Sequence, residues 1–487
     1  MYSKIKLCIK NNVPHCRLQQ QRVNNDTDNQ EVGGVDDVES YFFKSNNGVC
    51  QGESLSPFLF SMFINDIDSF LKSDAEVGLS VFQLYIAVLV FADDMAVISE
   101  TKNGLQKGLN KLSEYCEMWG LSVNVAKTQC VAFKKNGRIA RGDVWTYRGE
   151  RLPTVNQFKY LGFMFGSSGK HNKGMDALLN QSQRALFNLK TCLYNNTGLS
   201  IHIKLQLFKS LIIPILTYSS EIWGYKHCVK MDTLFLGFLK SILGIKKSTS
   251  TYMVYKELGV EPLINLRSVR VIKYWLKVIR LEQTSPVKKI YDTLVSDCSN
   301  DNAVCNWASG VRKLLLNNGF GFAWNQQIVR NNNSFMSEFK LRLKDIFIQK
   351  CNEEISKLSN NRLYKHLDYN SALYLTEISQ NHIRIAITKL RLSSHALMNE
   401  RGRWMNVEYN LRLCETCNVI EDEFHIVNEC RRYNRLRQKY IPYTVYNKPS
   451  MAKFINFIDH ATGLKLKKLG IFCHKVFRNY SKEVLLQ

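Results

Sequence analysis

Two short apolar runs on either side of an acidic dipeptide form the sharpest pattern along the chain. Residues 89–99 are apolar and strand-forming except at Asp93, Asp94 and the final serine. Such runs, joined by a short polar step, predict a β-hairpin with carboxylates at its tip. Carboxylates beside so much apolar sequence are costly unless a cation offsets their charge. The pair is therefore a candidate metal site, although Asp-Asp is also a common turn dipeptide.

Helical spacing follows and precedes this hairpin. Residues 48–57 form a loop rich in Gly and Ser, and Ser56-Pro57 then begins an apolar segment with helical spacing. From about Gly104 to Met118 the pattern predicts an amphipathic helix. Its apolar side carries Leu105, Leu109, Leu112 and Tyr115, and its polar side carries Lys107, Lys111 and Glu114. Two later helices are predicted over residues 334–356 and 372–392.

The first forty residues have a different character. Residues 4–13 fit an amphipathic helix, and residues 17–37 are rich in Gln, Asn and Asp with a Gly-Gly pair. Such a composition cannot bury much apolar surface. We expect residues 1–38 to be poorly structured, and residues 41–44 to form a strand.

Charge and composition narrow the class of protein. The chain has 487 residues, 45% of them hydrophobic, which predicts two to four globular domains. Its 66 Lys and Arg against 42 Asp and Glu give a net charge of +24, which favours a polyanionic partner, although a merely basic protein is the alternative. No signal-peptide pattern is visible at the start, and the most apolar run, residues 77–92, fits a buried strand better than a membrane span. We expect an intracellular protein, in the nucleus with a cytoplasmic phase and not secreted, with reduced thiols and no membrane partner.

Four sequence blocks in one order carry a family resemblance. They are Gln51-Gly52-x-x-x-Ser56-Pro57, Phe91-Ala-Asp93-Asp94, Gly120-Leu-x-x-Asn-x-x-Lys127-Thr and Tyr160-Leu161-Gly162. In this arrangement the chain resembles reverse transcriptases of the non-LTR (LINE-type) retrotransposons. Residues 213–224 and 243–259 are similar to the thumb region of the same proteins.

The resemblance implies an α+β fold: part of a right-hand polymerase palm, with an antiparallel sheet and packed helices, followed by a helical thumb. It divides the chain into residues 1–38, a palm remnant at 39–165, thumb and post-thumb helices at 166–290, a helical connecting region at 291–400, and a C-terminal module at 401–487.

The resemblance also implies roles for particular residues. Nucleotide addition by this family is a two-metal phosphoryl transfer, with Mg²⁺ or Mn²⁺ held by carboxylates. By resemblance Asp93 and Asp94 bind the metal, and Lys127 is the proton donor to pyrophosphate. Gln51, Gly52, Ser56, Pro57 and Phe91 line the template and nucleotide pocket, and Tyr160, Leu161 and Gly162 form the primer grip. The plain alternatives are a surface lysine at 127 and a core aromatic at 160. The implied partners are an RNA template, a DNA primer or target, and dNTPs.

One expected block has no counterpart. The family's first catalytic aspartate should precede residue 1, and Asp28, Asp36 and Asp37 lie in loop-like sequence. We therefore expect a truncated enzyme with weak or no polymerase activity. The alternative is a non-catalytic remnant that binds RNA or DNA, and a maturase or telomerase-like enzyme is a weaker third interpretation.

The C-terminal part carries a second constellation. Cys414, Cys417, His425 and Cys430 have the spacing Cys-x2-Cys-x7-His-x4-Cys, which suits tetrahedral Zn²⁺. It resembles the zinc-knuckle-like module of non-LTR elements, although chance clustering among 14 cysteines is the alternative. Residues 431–437 follow directly and are basic with one aromatic, which suits phosphate contact and base stacking.

Two further basic stretches are candidates for phosphate contact, with a solvated surface as the alternative for each. One is a loop that contains Lys134, Lys135, Arg138 and Arg141. The other recurs at helical spacing in the predicted thumb: Arg267, Arg270, Lys273, Lys277 and Arg280.

Overall fold

A computed structural model describes residues 4–10, 54–81, 84–134, 137, 142–196, 198–300, 306–358, 363–367 and 372–484. The chain divides into two compact units, Met1–Asp176 and Ala177–Gln487. Small antiparallel sheets occur in the first unit and helices make up the second, so the predicted α+β class is confirmed. The finer predicted boundaries near residues 165, 290 and 400 stay predictions.

Among its described residues, the first unit combines strands with three complete α-helices and the start of a fourth. Its helices are α1 (Ser56–Phe63), α2 (Ile67–Lys72) and α3 (Lys102–Met118). Its strands are β1 (Lys4–Lys10), β2 (Leu79–Val81), β3 (Leu84–Ile86), β4 (Val88–Phe91), β5 (Asp94–Ser99), β6 (Gln129–Phe133), β7 (Trp145–Tyr147), β8 (Glu150–Leu152), β9 (Gln157–Tyr160) and β10 (Phe163–Gly166). Strands β2 and β3, β7 and β8, and β9 and β10 pair as separate two-stranded ribbons.

The main sheet has the strand order β4-β5-β1-β6, and all neighbours run antiparallel. Successive side chains of a strand point to opposite faces, and the burial pattern follows this rule. Met95 and Val97 of β5 join one hydrophobic cluster with α3, whereas Ala96 joins another with Phe158 and Tyr160. Helices therefore cover one face of the sheet, and the β9–β10 ribbon lies against the other.

Helix α3 confirms the amphipathic pattern. Leu105, Leu109, Leu112 and Tyr115 are fully buried, and Lys107 and Glu114 are exposed. The Thr101 hydroxyl accepts a hydrogen bond from the Gly104 amide, which caps the helix. A Cβ at Gly104 would lie 2.1 Å from the Glu76 carbonyl oxygen, so only glycine permits this close approach.

Strand β1 corrects the prediction for the start of the chain. Residues 4–13 were expected to form an amphipathic helix within a poorly structured segment, yet Lys4–Lys10 pair with both β5 and β6. The apolar residues of this stretch also fall at alternate positions, which suits a strand. The partners that decide between the two periods are about 90 and 125 residues away, so local spacing could not show them. The rest of residues 1–38, and the strand predicted at 41–44, lie outside the described residues.

The second unit is built from helices, and α4 (Asn172–Asn195) crosses into it. The others are α5 (Ile201–Leu211), α6 (Ile213–Leu216), α7 (Ser220–Trp223), α8 (Val229–Leu243), α9 (Thr251–Leu258), α10 (Leu263–Val278), α11 (Pro286–Asn300), α12 (Trp307–Asn317), α13 (Gly321–Gln326), α14 (Asn332–Ser356), α15 (Tyr374–Glu377), α16 (Asn381–Arg391), α17 (Met398–Trp404), α18 (Glu423–Asn428), α19 (Asn434–Tyr440), α20 (Tyr443–Tyr446), α21 (Met451–His460) and α22 (Gly463–Val484). None of the described helices is both long and apolar enough to span a bilayer.

Two predicted helices have different outcomes in this unit. Helix α14 confirms the prediction over residues 334–356. The helix predicted over 372–392 is instead two helices, α15 and α16, separated at residues 378–380. The buried guanidinium of Arg384 donates to the Ile378 carbonyl oxygen at 3.3 Å, so the break has its own hydrogen bond.

Candidate functional site

The acidic pair lies at the tip of the β4–β5 hairpin, as the sequence predicts. Phe91 pairs with Asp94, which leaves Ala92 and Asp93 as a two-residue turn. Ala92 has a φ of 48°, in the left-handed region that tight hairpin turns use. The turn thereby reverses the chain direction within two residues and holds the two carboxylates next to each other.

Exposure changes sharply along this hairpin. The Phe91 side chain is 61% exposed, Asp93 and Asp94 are half-buried, and residues 95–99 are buried. Asp94 shares its strand face with Ala96, which packs against the β9–β10 ribbon. The carboxylates thus stand where a buried strand reaches the surface, and Asp94 is on the face opposite α3.

Lys127 lies at the same end of the sheet. It closes a short 3-10 turn, Val125–Lys127, in which the Asn124 side chain accepts a hydrogen bond from the Lys127 amide at 3.2 Å. This turn leads into β6, whose Gln129 is paired with Cys8, while Lys10 is paired with Asp94. The start of β6 and the start of β5 therefore flank the end of β1, roughly 10 Å apart at two strand spacings. The structure thus places Asp93, Asp94 and the exposed Lys127 at the same end of the main sheet.

The central strand offers no third carboxylate there. Lys10 occupies the register position opposite Asp94, and the sequences of β1 and β6 contain neither Asp nor Glu. Strands β1 and β6 therefore bring no acidic residue type to this end of the sheet.

The proposed primer-grip residues form a tight hairpin tip. Leu161 and Gly162, with φ of 46° and 80°, connect β9 to β10. Tyr160 is only 8% exposed and packs with Ala96 and Val131, as a core aromatic does. Leu161 is on the surface, so the tip and not the Tyr160 ring is accessible.

The predicted template-pocket residues are only partly described. Ser56 is buried at the start of α1, and Pro57 is exposed beside it. Gln51 and Gly52 lie outside the described residues. Several large apolar side chains of α1 and of the residue before it are exposed: Leu55, Phe58, Leu59, Met62 and Phe63.

The four predicted zinc ligands converge in the second unit. One ligand atom each from Cys414, Cys417, His425 and Cys430 lies within 4.8 Å of the others. The Sγ atom of Cys430 lies 3.9 Å from that of Cys414 and 4.0 Å from that of Cys417. Three sulfur atoms and an imidazole at this separation match the donor set of a closed structural zinc site.

Local hydrogen bonds build this cluster. The Cys414 amide donates to the Val419 carbonyl oxygen at 2.7 Å, and Asn418 turns the chain with a φ of 53°. The Arg431 amide donates to Cys417 Sγ at 3.4 Å. Asp422 caps α18 by accepting from the His425 amide, so the turn and the helix each hold their ligands in place.

Burial is the main cause of the pKa shifts in the cluster. Burial, with the neighbouring Cys414, raises the pKa of the Cys430 thiol to about 12. Burial also lowers the pKa of His425, against the opposing effect of Glu429. The buried Nε2 of His425 has no hydrogen-bond partner among the described residues. An orphaned imidazole nitrogen beside three thiols is what a zinc ion would satisfy.

The basic segment after the cluster is partly buried, which corrects the prediction of base stacking by its aromatic residue. Tyr433 is 4% exposed and cannot stack on a base, and Arg437 is 3% exposed. The Arg437 guanidinium donates to the backbone carbonyl oxygens of Val427 and Cys430 at 2.8 and 2.7 Å. Arginines 431, 432 and 435 remain exposed and can meet phosphates.

The basic residues predicted along the thumb helix, now α10 and the residues just after it, are partly buried and partly exposed. Arg267 is fully buried and lies 3.4 Å from the Asp232 carboxylate, and Arg270 donates to the Thr217 carbonyl oxygen at 2.9 Å. Lys273, Lys277 and Arg280 are exposed. The helical spacing predicted that all five residues share one exposed face. That face is wide, and the residues at one side of it reach the core.

In the predicted basic loop, Lys134 forms an ion pair with Asp143 at 2.6 Å. Lys135, Arg138 and Arg141 lie outside the described residues.

Comparison with known proteins finds a family match in the first part of the chain. Residues 11–165 match the family described as reverse transcriptase (RNA-dependent DNA polymerase). This part of the chain is similar to a reverse transcriptase domain. The match contains the four sequence blocks, the β4–β5 hairpin and Lys127.

Relatives of the reverse transcriptase domain come from mobile elements. The chain is 28% identical over 206 residues to the RNA-directed DNA polymerase from mobile element jockey of Drosophila funebris, covering 40% of this chain and 22% of that protein. It is 26% identical over 182 residues, 36% of this chain, to a Pol polyprotein from a type-1 retrotransposable element R2 of Popillia japonica, and covers 24% of it. A transposon-derived protein of Caenorhabditis elegans is 31% identical over 151 residues, which are 29% of this chain and 50% of that protein.

The chain thus spans about a quarter of the first two relatives. The predicted kinship with non-LTR retrotransposon reverse transcriptases is confirmed.

Proposed function

We propose that this chain is part of an RNA-directed DNA polymerase of a non-LTR retrotransposon, in which residues 39–165 belong to the palm and the helices within residues 166–290 form the thumb and post-thumb. The observation that supports the proposal is that Asp93, Asp94 and Lys127 lie at the same end of the main sheet, within the residues that match the reverse transcriptase family. The partners would be an RNA template, a DNA primer or target, and dNTPs.

In this proposal the hairpin carboxylates hold Mg²⁺ or Mn²⁺, which supplies charge stabilisation for the phosphoryl transfer. Lys127 would donate a proton to the leaving pyrophosphate, and its cationic charge would offset the charge that develops there. The β9–β10 tip at Leu161 and Gly162 would support the primer, since Asp94 is on the same face of the sheet as that ribbon. Gln51, Gly52, Ser56, Pro57 and the exposed Phe91 would contact the template and the nucleotide.

A second candidate function is favoured by one specific observation. Lys10 is the register partner of Asp94, and neither β1 nor β6 contains an Asp or Glu that could join the hairpin carboxylates as a metal ligand. A two-metal site with two carboxylates leaves much of the cation charge uncompensated. The proposed polymerase would then be weak, and the chain could act mainly by binding RNA or DNA without catalysis.

Primer extension on an RNA template separates these functions. We expect slow extension with Mg²⁺ or Mn²⁺ that Asp93→Asn abolishes, and the matched variant Asp68→Asn, which removes an exposed acid paired with Lys72 on α2, should leave it unchanged. No extension by the parent chain, with retained nucleic-acid binding, would support the second candidate. Extension that survives Asp93→Asn would contradict the assignment of the hairpin.

We also propose that Cys414, Cys417, His425 and Cys430 hold a structural Zn²⁺. The converging ligand atoms and the unsatisfied imidazole support it. The ion would fix the turn that precedes α18 and, through it, the exposed arginines that follow.

A further inference from the structure

The second unit contains a polar cavity of about 250 Å³. None of the four residues of the cysteine cluster lines it. One wall is the loop between α8 and α9, with Lys246 and Ser248–Ser250 side chains, and the other wall includes Glu400 and Arg403 of α17. The lining is hydroxyl-rich and basic, which suits an oxyanion better than an apolar ligand.

The loop that forms this wall is held rigidly. The ammonium group of the buried Lys240 donates to the carbonyl oxygens of Lys247 and Thr249, both at 2.6 Å. The Lys246 amide donates to the Ser394 hydroxyl at 2.9 Å, and its ammonium group donates to the His395 carbonyl oxygen at 2.5 Å. A loop fixed at this many points loses little conformational entropy when it binds a ligand.

The cavity lining carries two cations, Lys246 and Arg403, and one acid, Glu400, and the Glu423 carboxylate accepts a hydrogen bond from the lining Ser393. Burial lowers the pKa of Lys246, and the neighbouring Lys389 and Arg403 lower it further against the opposing charge of Glu400. The helix α9 begins at this wall, and its N-cap residue Ser250 makes no side-chain capping hydrogen bond. The positive end of the helix dipole therefore adds to the field of the lysine and the arginine.

An aromatic platform adjoins the same arginine. The guanidinium carbon of Arg403 lies 4.9 Å from the centre of the Trp404 ring, and Trp404 is 60% exposed. Arg403 thus lies between the cavity and the indole, and it also forms a 3.0 Å ion pair with Glu400. A large exposed indole beside basic groups is the arrangement by which proteins hold an unpaired base next to its phosphate.

We propose that the cavity and Trp404 form a binding site for single-stranded nucleic acid, separate from the acidic hairpin. One backbone phosphate enters the cavity between Lys246, Ser248 and Arg403, and the adjoining base stacks on the open face of Trp404. The site would give the proposed polymerase a second contact with the template or with the displaced strand. Only the choice of nucleic acid as the ligand rests on the proposed function.

Fluorescence anisotropy of a labelled single-stranded RNA octamer, titrated with the full chain, tests this site. We expect Trp404→Ala to weaken binding of the octamer about tenfold and Trp404→Phe to retain most of the affinity, since stacking is kept. An octamer of the same charge whose bases are replaced by abasic linkers should bind equally to the parent chain and to Trp404→Ala. Lys246→Gln should weaken both octamers several-fold and reduce the steepness of the salt dependence, because one phosphate contact is lost.

The matched control is Lys247→Gln, which removes the same charge from the next residue, one that does not line the cavity. Thermal melting of each variant confirms that it folds. If Trp404→Ala and Lys246→Gln bind the octamer like Lys247→Gln, the proposal is overturned. Full competition by millimolar inorganic phosphate, with equal binding of intact and abasic octamers, would also overturn it in favour of a free-phosphate site. Because the Asp93→Asn variant should keep this binding, failure of polymerase activity and failure of this site are distinguishable.

Discussion

Glu257 of α9 accepts a 2.8 Å hydrogen bond from the Nε atom of Arg391 at the end of α16, and both side chains are buried. The hydroxyl groups of Tyr364 and Tyr374 donate to the same carboxylate at 2.9 and 2.8 Å. Arg391 also donates to the Ile458 carbonyl oxygen in α21. One carboxylate therefore joins segments of the second unit that are more than a hundred residues apart.

We expect Glu257→Gln to lower the free energy of unfolding of the second unit by about 3 kcal/mol, because the buried Arg391 guanidinium loses its 2.8 Å partner and keeps only the Asp459 carboxylate, at 3.6 Å. Urea denaturation followed by tryptophan fluorescence measures the change. The matched control, Glu261→Gln, removes an exposed carboxylate that accepts a 2.8 Å hydrogen bond from the Asn265 side chain, and it should change stability by less than about 0.5 kcal/mol.

The double variant Glu257→Leu with Arg391→Met tests whether the charge pair is the cause. Removing both charges should cost much less than the sum of the two single changes, since neither charge is then left alone. Additive losses would show that packing, not the ion pair, accounts for the effect.

We expect the cysteine cluster to bind metal in a one-to-one ratio with the chain. Purified chain should carry one Zn²⁺, and Cys417→Ser should lose it and lower the melting temperature, because the remaining ligands cannot close a tetrahedral site. Elemental analysis and thermal melting with and without a chelator measure both effects.

Cys192→Ser is the matched control for this metal site, since Cys192 is an exposed free thiol on α4. It should retain zinc and the parent melting temperature. Equal zinc content in Cys417→Ser and the parent would contradict the site.

The turn of the acidic hairpin should tolerate glycine. Ala92 has a φ of 48°, which costs an L-residue about 1 kcal/mol, so Ala92→Gly should leave stability unchanged or raise it by up to about that amount. Ala126→Gly, in an exposed turn where no positive φ occurs, should be neutral or destabilising. Thermal unfolding compares the two, and a clear loss of stability for Ala92→Gly would contradict the turn geometry.

Local pattern was enough for part of this molecule. The acidic hairpin, helix α3 and the converging cysteines and histidine could be predicted because turn residues, helical period and ligand spacing are all encoded within about twenty residues. The surface groups were less predictable. Spacing placed Arg267 and Arg437 on basic faces, but both lie on the buried side and are used to satisfy a carboxylate and backbone carbonyl oxygens.

Long-range partners explain what was missed. The Glu257–Arg391 pair joins positions 134 residues apart, and no local rule selects which charges will meet in a core. Strand β1 was missed for the same reason. Its conformation is set by pairing with the distant strands β5 and β6 and not by its own residue spacing. The cavity beside Trp404 likewise needs α17 to approach the α8–α9 loop.

The register of β1 gives the sharpest prediction for the acidic edge. Because Lys10 is the residue opposite Asp94, Lys10→Asp should place a third carboxylate type at this level of the sheet and remove a cation. We expect the variant to be less stable without metal, from like-charge repulsion, and to gain more stability than the parent on addition of Mg²⁺ or Mn²⁺. Melting temperature against metal concentration measures this. Lys4→Asp makes the same charge change at the other end of β1, opposite Phe133, and should show no added metal dependence. Equal metal responses in the two variants would mean that β1 does not bring residue 10 to the acidic pair, and the incomplete two-metal site would lose its structural basis.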